Sequence, residues 1–288
     1  MSASPAPAPA AIDHYENFPV ASWLCPPRLR APIAAIYHFA RTADDVADEG
    51  DAPVSERLAT LQALHADLLA VAHARAPSPR WPQVFAPLAV QWRNFELPLA
   101  PFEDLLSAFE QDVRKSAAAG TYADRAELLD YCRRSANPVG RLLLHLYGVT
   151  EPAALAESDA VCTALQLINF WQDLSIDLPR GRHYLPLADC AAHGIAIDPV
   201  QPQRALPVDQ KTTELIASLA DWTRAGMQNS SKLVHRVPGR GGWELRAVVQ
   251  GALRVLDKVD ALGAEVLRQR PRLTRADAPR VLWRMLRM

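Results

Sequence analysis

Tyr37-His-Phe-Ala-Arg41-Thr-Ala-Asp44-Asp45-Val-Ala-Asp48-Glu49 sets polar groups every third or fourth position into an otherwise apolar segment. An α-helix turns about 100° per residue, so Tyr37, Arg41, Asp44 and Asp48 fall within about 60° on one face. Ile36, Phe39, Ala40, Ala43 and Ala47 take much of the remaining circumference. That is the pattern of a helix enclosed by other helices. The helix should run from Pro32 to Asp48 and stop at Gly50 and Pro53.

A second segment repeats the device. In Gln166-Leu-Ile-Asn169-Phe-Trp-Gln-Asp173-Leu-Ser-Ile-Asp177, the residues Gln166, Asn169, Asp173 and Asp177 share one face within about 80°. Leu165, Leu167, Ile168, Phe170, Trp171 and Leu174 surround them, so this helix too should be largely buried. Carboxylates on enclosed helices lose several kcal/mol of solvation unless something compensates them. Two such stripes facing one another would offer hard oxygen ligands to Mg²⁺, which keeps several waters and bridges to substrate phosphate oxygens. The ligand set therefore implies a diphosphate substrate. A solvated acidic helix face is the alternative for either stripe alone. It explains less when both stripes mix carboxylates with neutral polar groups on apolar helices. A di-iron carboxylate bundle would carry Glu-x-x-His pairs, and the sequence contains none.

The rest of the chain reads as one helical domain. Residues 1 to 11 are Pro/Ala-rich and should form a flexible tail, leaving residues 12 to 288 as the domain. Further helices are expected at Ser55 to His73 with Ser55 as N-cap, Trp81 to Phe95, Phe102 to Lys115, Arg125 to Tyr147, Glu157 to Ile176, Asp209 to Leu233, Trp243 to Arg268 and Ala276 to Arg287. No period-2 run of β-branched residues competes, so strands should be few or absent. Pro238-Gly-Arg-Gly-Gly242 lacks a preceding strand and the full dinucleotide fingerprint, and reads as a loop before the Trp243 helix.

Hydrophobic residues form 49% of the 288-residue chain and charged ones 22%, the balance of a folded rather than a disordered protein. A net charge of −1 gives no overall field to attract nucleic acid. Cys25, Cys132, Cys162 and Cys190 are far apart without CxxC spacing, which argues against a disulfide framework and a zinc site. No run of about 18 apolar residues and no leader pattern is present. A cytoplasmic protein is expected.

At the two acidic segments the sequence resembles the squalene and phytoene synthase family, whose members bind prenyl diphosphates through Mg²⁺ between two Asp-rich helices. The resemblance covers nearly the whole chain after residue 12. It includes His14-Tyr-Glu-Asn-Phe18, Tyr37 to Asp48, Tyr131 to Gly140, and the run from Asn169 to Pro186. It implies an all-α isoprenoid synthase fold with a central cavity between the helices that carry the Asp-rich motifs. It implies Asp44, Asp48, Asn169, Asp173 and Asp177 as metal ligands, directly or through water, with Asp45 in support. It further implies that Arg41 and Arg182 hold diphosphate, with Gln166 beside them. Tyr37, Phe18, Tyr131 and Tyr184 would line the cavity, where aromatic faces stabilise a carbocation, and His14 would join the substrate contacts.

Within the family, HYENFPVASWL, ARTADDVADEG, SANPVGRLLLHLYG and NFWQDL most resemble the bacterial hydroxysqualene synthases. Presqualene diphosphate synthases and phytoene synthases more typically have Arg where Gln172 stands. The implied reaction takes presqualene diphosphate and water to hydroxysqualene and diphosphate without NAD(P)H. The alternatives are head-to-head prenyl transfer, giving presqualene diphosphate, squalene or phytoene, and a non-catalytic assembly protein of the same fold. Implied partners are a presqualene diphosphate synthase and a hydroxysqualene reductase.

Other features read as structural. His38, His65, His73, His145, His193 and His235 have no ligand spacing, and Trp23, Trp171 and Trp243 are expected in the core or cavity wall. Arg268 to Arg287 mixes arginine with Leu, Val and Trp283. It is read either as a helix packed on the domain or as a basic amphipathic helix on the inner face of a membrane.

Overall fold

The structure, a computed structural model, describes residues 25–48, 50–118, 120–198 and 206–288. The expected tail and the candidates His14, Phe18 and Trp23 lie outside these residues. The helices are α1 (Pro27–Asp48), α2 (Val54–Ala72), α3 (Pro82–Phe95), α4 (Ala100–Ala117), α5 (Arg125–Ser135) and α6 (Asn137–Tyr147). They continue as α7 (Pro152–Gln172), α8 (Leu174–Asp177), α9 (Leu187–Ala192), α10 (Gln210–Asn229), α11 (Arg240–Leu262) and α12 (Ala278–Leu286). The fold is all-α. Among the described residues the one sheet-like pairing noted outside strands is an isolated parallel bridge between Tyr122 and Pro186.

Local chemistry sets most boundaries. Proline stands in the first turn of α3, α4, α6, α7 and α12, where its missing N–H has no intrahelical partner to lose. Asp124 and Asp209 cap α5 and α10 by accepting from Glu127 N at 3.0 Å and Thr212 N at 2.9 Å. Ser55 is not a cap, because α2 begins one residue earlier, after Pro53.

Three expected elements differ. The stretch from Arg125 to Tyr147 is two helices divided at Ala136, since Pro138 cannot donate to Arg134 and crowds its carbonyl. The second acidic segment breaks at Asp173 into α7 and α8. Gly241 and Gly242 belong to α11 rather than to a loop. They stay small for contact reasons, since a Cβ on Gly242 would lie 2.6 Å from the Val234 carbonyl oxygen and one on Gly241 2.7 Å from the Tyr147 ring.

Two apolar clusters form the core. One joins Phe39, Leu64, Phe85, Leu88 and Phe102 of α1 to α4, and the other joins Ile168, Trp171, Leu215, Leu219 and Leu256 of α7, α10 and α11. Helix α6 splices them. Leu142 and Leu146 enter the first cluster and Leu144 the second, as residues on opposite sides of one helix must. The second acidic segment is thereby fixed against the half of the molecule that carries the first.

Gly140 makes the α6–α7 crossing possible. An added Cβ would sit 2.4 Å from Ser158 Oγ and 2.6 Å from Cys162 Sγ. Gly140→Ala should therefore destabilise the protein by about 1–3 kcal/mol in urea unfolding. Gly226→Ala on α10, where a methyl meets nothing within 4 Å, should be neutral or stabilise by up to about 1 kcal/mol. Equal effects at both positions would contradict the close crossing.

Candidate active site

Helix α1 buries Ala35, Ile36, Phe39, Ala43 and Ala47 and turns its acidic face away from them. That face is less enclosed than the pattern suggests, with the Asp44 and Asp45 side chains 36% and 41% exposed. Arg41 lies between them, 3.1 Å from Asp44 and 2.8 Å from Asp45. Tyr37 is half-buried one turn earlier, its ring edge-on to His38.

The second acidic segment reaches the first through Arg182. After α8 the chain reverses at Gly181, whose φ of +77° suits glycine, and Arg182 N donates to the Asp177 carbonyl at 3.0 Å. This turn aims the guanidinium back at Asp48, 2.9 Å away. Asp177 is buried. Burial, and then repulsion from Asp173, pushes its carboxyl up to about 7 against the pull of Arg182 and Arg180. Asp48 is also raised by burial and held down by Arg182.

Asp173 accepts from Arg270 through its Nε and one terminal guanidinium nitrogen. Beside it the Gln172 amide donates to the Pro271 carbonyl at 2.8 Å. The break after α7 falls where these two side chains hold the same downstream segment. Gln166 and Asn169 are half-buried earlier on α7, and the Asn169 carbonyl accepts from Asp173 N.

A third helix adds a carboxylate that the sequence reading misses. Asp112 on α4 accepts from the Tyr131 hydroxyl at 2.8 Å. Burial pushes it up to about 8, with Asp48 and Asp44 adding repulsion. Beyond Tyr131 runs an aromatic wall. Tyr184 stacks on Phe170 with centroids 3.8 Å apart, and Tyr131 and Tyr122 lie 6.2 and 5.9 Å from Tyr184. Burial raises the Tyr131 and Tyr184 hydroxyls well above the usual tyrosine range, so both stay protonated.

The structure thus gathers Asp44, Asp48, Asp112, Asp177, Arg182, Tyr131 and Tyr184 around one locus, with Asp173 alongside. Asp112 could have been suspected from its place between Phe109 and Val113. Arg270 gives no local signal, because it meets Asp173 across 97 residues. Trp171 is core as expected, whereas Trp243 is 45% exposed rather than in a wall. Two hollows of about 460 and 430 Å³ are lined by Gln111, Arg114 and Arg134, and by Leu129, Thr163 and Trp222 respectively. Neither occupies the space between the acidic faces, where a central cavity is expected and where Arg182 reaches across.

The donor set fits a hard divalent cation. It is rich in carboxylate oxygen, and burial, with repulsion from neighbouring carboxylates as a smaller contribution, pushes Asp112 and Asp177 toward their neutral forms, a shift that a bound cation would oppose. Among the described residues no three His, Cys, Asp or Glu side chains are placed to hold an ion by themselves.

A carboxyl raised on folding binds its proton more tightly in the folded than in the unfolded chain. Between the ordinary carboxylate value near about 4 and the folded values, the unfolded chain binds fewer protons, so stability falls as pH rises. The protein in chelator should therefore lose stability from pH 5 to pH 8 in thermal melts. Asp112→Asn should flatten that slope, and an unchanged slope would contradict the buried acidic cluster.

Comparison with known proteins gives matches along most of the chain. A family described as squalene/phytoene synthase matches residues 12–277. A hydroxysqualene synthase of Sinorhizobium fredii is 34% identical over 90% of this chain and 83% of its own length. Another from Rhodopseudomonas palustris is 36% identical over 70% of this chain and 65% of its own length. The crystal structure of squalene synthase HpnC from Alicyclobacillus acidocaldarius superposes with a TM-score of 0.75 at 34% identity, covering 87% of this chain and 90% of that one.

Proposed function

The chain belongs to the squalene/phytoene synthase family, and from that premise we propose that it is a hydroxysqualene synthase. It converts presqualene diphosphate and water to hydroxysqualene and diphosphate. The observation that carries the reading is its 34% identity, over 90% of its length, to a protein named for that activity. The joining of both acidic segments through Arg182 and Asp48 supports it.

In this reading Asp44, Asp48, Asn169, Asp173 and Asp177 would hold Mg²⁺, with Asp45 in support and Asp112 able to add negative charge once a bound cation lowers its raised carboxyl. Bound Mg²⁺ neutralises diphosphate charge and makes it a better leaving group. Arg41 and Arg182 donate charge-assisted hydrogen bonds to the diphosphate, and both already lie among the carboxylates that would flank it. As the C–O bond breaks, its electron pair leaves with diphosphate. These donors stabilise that developing charge.

The cation left behind rearranges from its cyclopropylcarbinyl form. Tyr131, Tyr184, Phe170 and Tyr37 offer aromatic faces toward it, and His14, Phe18 and Gln166 complete the substrate contacts. Water closes the reaction, its oxygen forming the new C–O bond and its proton passing to solvent. No hydride is consumed, so NAD(P)H has no place in the balance. Product and substrate would pass between this enzyme, a presqualene diphosphate synthase and a hydroxysqualene reductase, at or near the inner membrane face. Among the described residues no helix is long and apolar enough to cross a membrane.

Incubation with presqualene diphosphate and Mg²⁺ without NADPH should yield hydroxysqualene, whereas farnesyl diphosphate alone should yield nothing. Squalene, phytoene or presqualene diphosphate formed from farnesyl or geranylgeranyl diphosphate would move the protein to the head-to-head reading. Asp48→Ala and Asp173→Ala should each abolish diphosphate release, by at least about 10³-fold, while circular dichroism shows folded protein. Normal turnover by either variant would overturn the metal assignment.

A further inference from the structure

Helix α12 has two apolar sides, and only one is used. Val281 and Met285 are half-buried toward α11, Gln250 contacts Met288, and Arg284 is fastened to Asp257 at 3.0 Å. Leu282, Trp283 and Leu286 are 56%, 52% and 64% exposed, and with exposed Pro279 they span about 100° of the helix. No residue of α12 is fully buried. Single exposed apolar residues need no explanation, but a continuous stripe on one short helix does.

The stripe is extended and edged with positive charge. Arg246 lies over the Trp243 ring and also donates to the Met285 carbonyl, so exposed Trp243 stands beside the end of α12. Exposed Arg280 and Arg287 border the stripe, and the Arg287 guanidinium covers the Trp283 ring at 3.8 Å. Residues 268 to 288 hold seven arginines against one aspartate, in a chain whose net charge is −1. That lone acid, Asp277, is buried and tied to Arg254 and Lys258.

We propose that the outer face of α12, with Trp243, docks the enzyme on an anionic phospholipid surface. Leu282, Trp283 and Leu286 would enter the headgroup boundary, and Arg280 and Arg287 would meet lipid phosphates. Charge decides against a second copy of the chain, because self-association through this face would press two arginine-rich segments together. An α12 docked on the domain by its inner side presents its outer side without unfolding. The proposal stands on this surface alone and adds to the proposed function a place where an enzyme of a lipid-like substrate meets it.

The test is co-sedimentation of the full chain with vesicles of phosphatidylcholine alone or mixed with phosphatidylglycerol, at low and high salt. Binding should favour the anionic vesicles and weaken with salt. It should fall at least about tenfold in Leu282→Ser/Leu286→Ser and in Arg280→Gln/Arg287→Gln, while turnover of detergent-dispersed presqualene diphosphate matches the parent. Parent protein that ignores anionic vesicles, or variants that bind them as well as the parent, would overturn the proposal. So would a change in sedimentation-velocity mass in the variants without vesicle binding by the parent, which would assign the face to a protein partner.

Discussion

The contact between Asp48 and Arg182, 2.9 Å long, makes one site of two distant acidic segments. Each segment alone is a helix with a polar stripe, and either could have faced solvent. The pair is half-buried, so removing one partner would leave the other charged and poorly solvated. The turn at Gly181 and the splice through α6 both act to bring these two side chains together. Arg270, near the far end of the chain, ties Asp173 to the C-terminal segment.

Charge balance then explains why the locus suits a substrate. Four carboxyl groups from three helices share a partly desolvated locus with a few guanidinium groups, and burial first, then mutual repulsion, raises Asp112 and Asp177. A cluster in that state is stabilised by added positive charge. In the proposed reading a cation arriving with diphosphate would supply it, and the arginines would then be free to bind phosphate oxygens instead of aspartate. The rings of Tyr122, Tyr131, Phe170 and Tyr184 pack on one another beside this locus, tied to it by the Tyr131 hydroxyl on Asp112.

Much of this was legible in the sequence because helical periodicity is local. The stripe from Tyr37 to Asp48 and its counterpart from Gln166 to Asp177 need only the 100° step to be seen. What was not legible depends on distant contacts or on single residues. Asp112 is one of four acids on α4, and what singles it out is its hydrogen bond to Tyr131 and its closeness to Asp48 in space. The Arg270 pair links residues 97 apart, and the division of α5 from α6 at Ala136 was hidden by strong helix formers on both sides. Gly140 is needed for packing against Ser158 and Cys162, which no local pattern announces. The reading of α12 was left two-sided because amphipathicity alone does not say which side is occupied. Val281 and Met285 face the domain, and the more apolar stripe faces out.

The central claim is that the acidic segments form one partly buried acidic site for diphosphate and a divalent cation together. Isothermal titration of inorganic diphosphate into the protein, in Mg²⁺ and in chelator, tests it most directly. Because binding couplings are reciprocal, the account predicts affinity at least about tenfold higher with Mg²⁺, and Mg²⁺ affinity raised equally by diphosphate. Diphosphate bound as tightly in chelator as in Mg²⁺ would show that the arginines alone form the site, and would contradict the account.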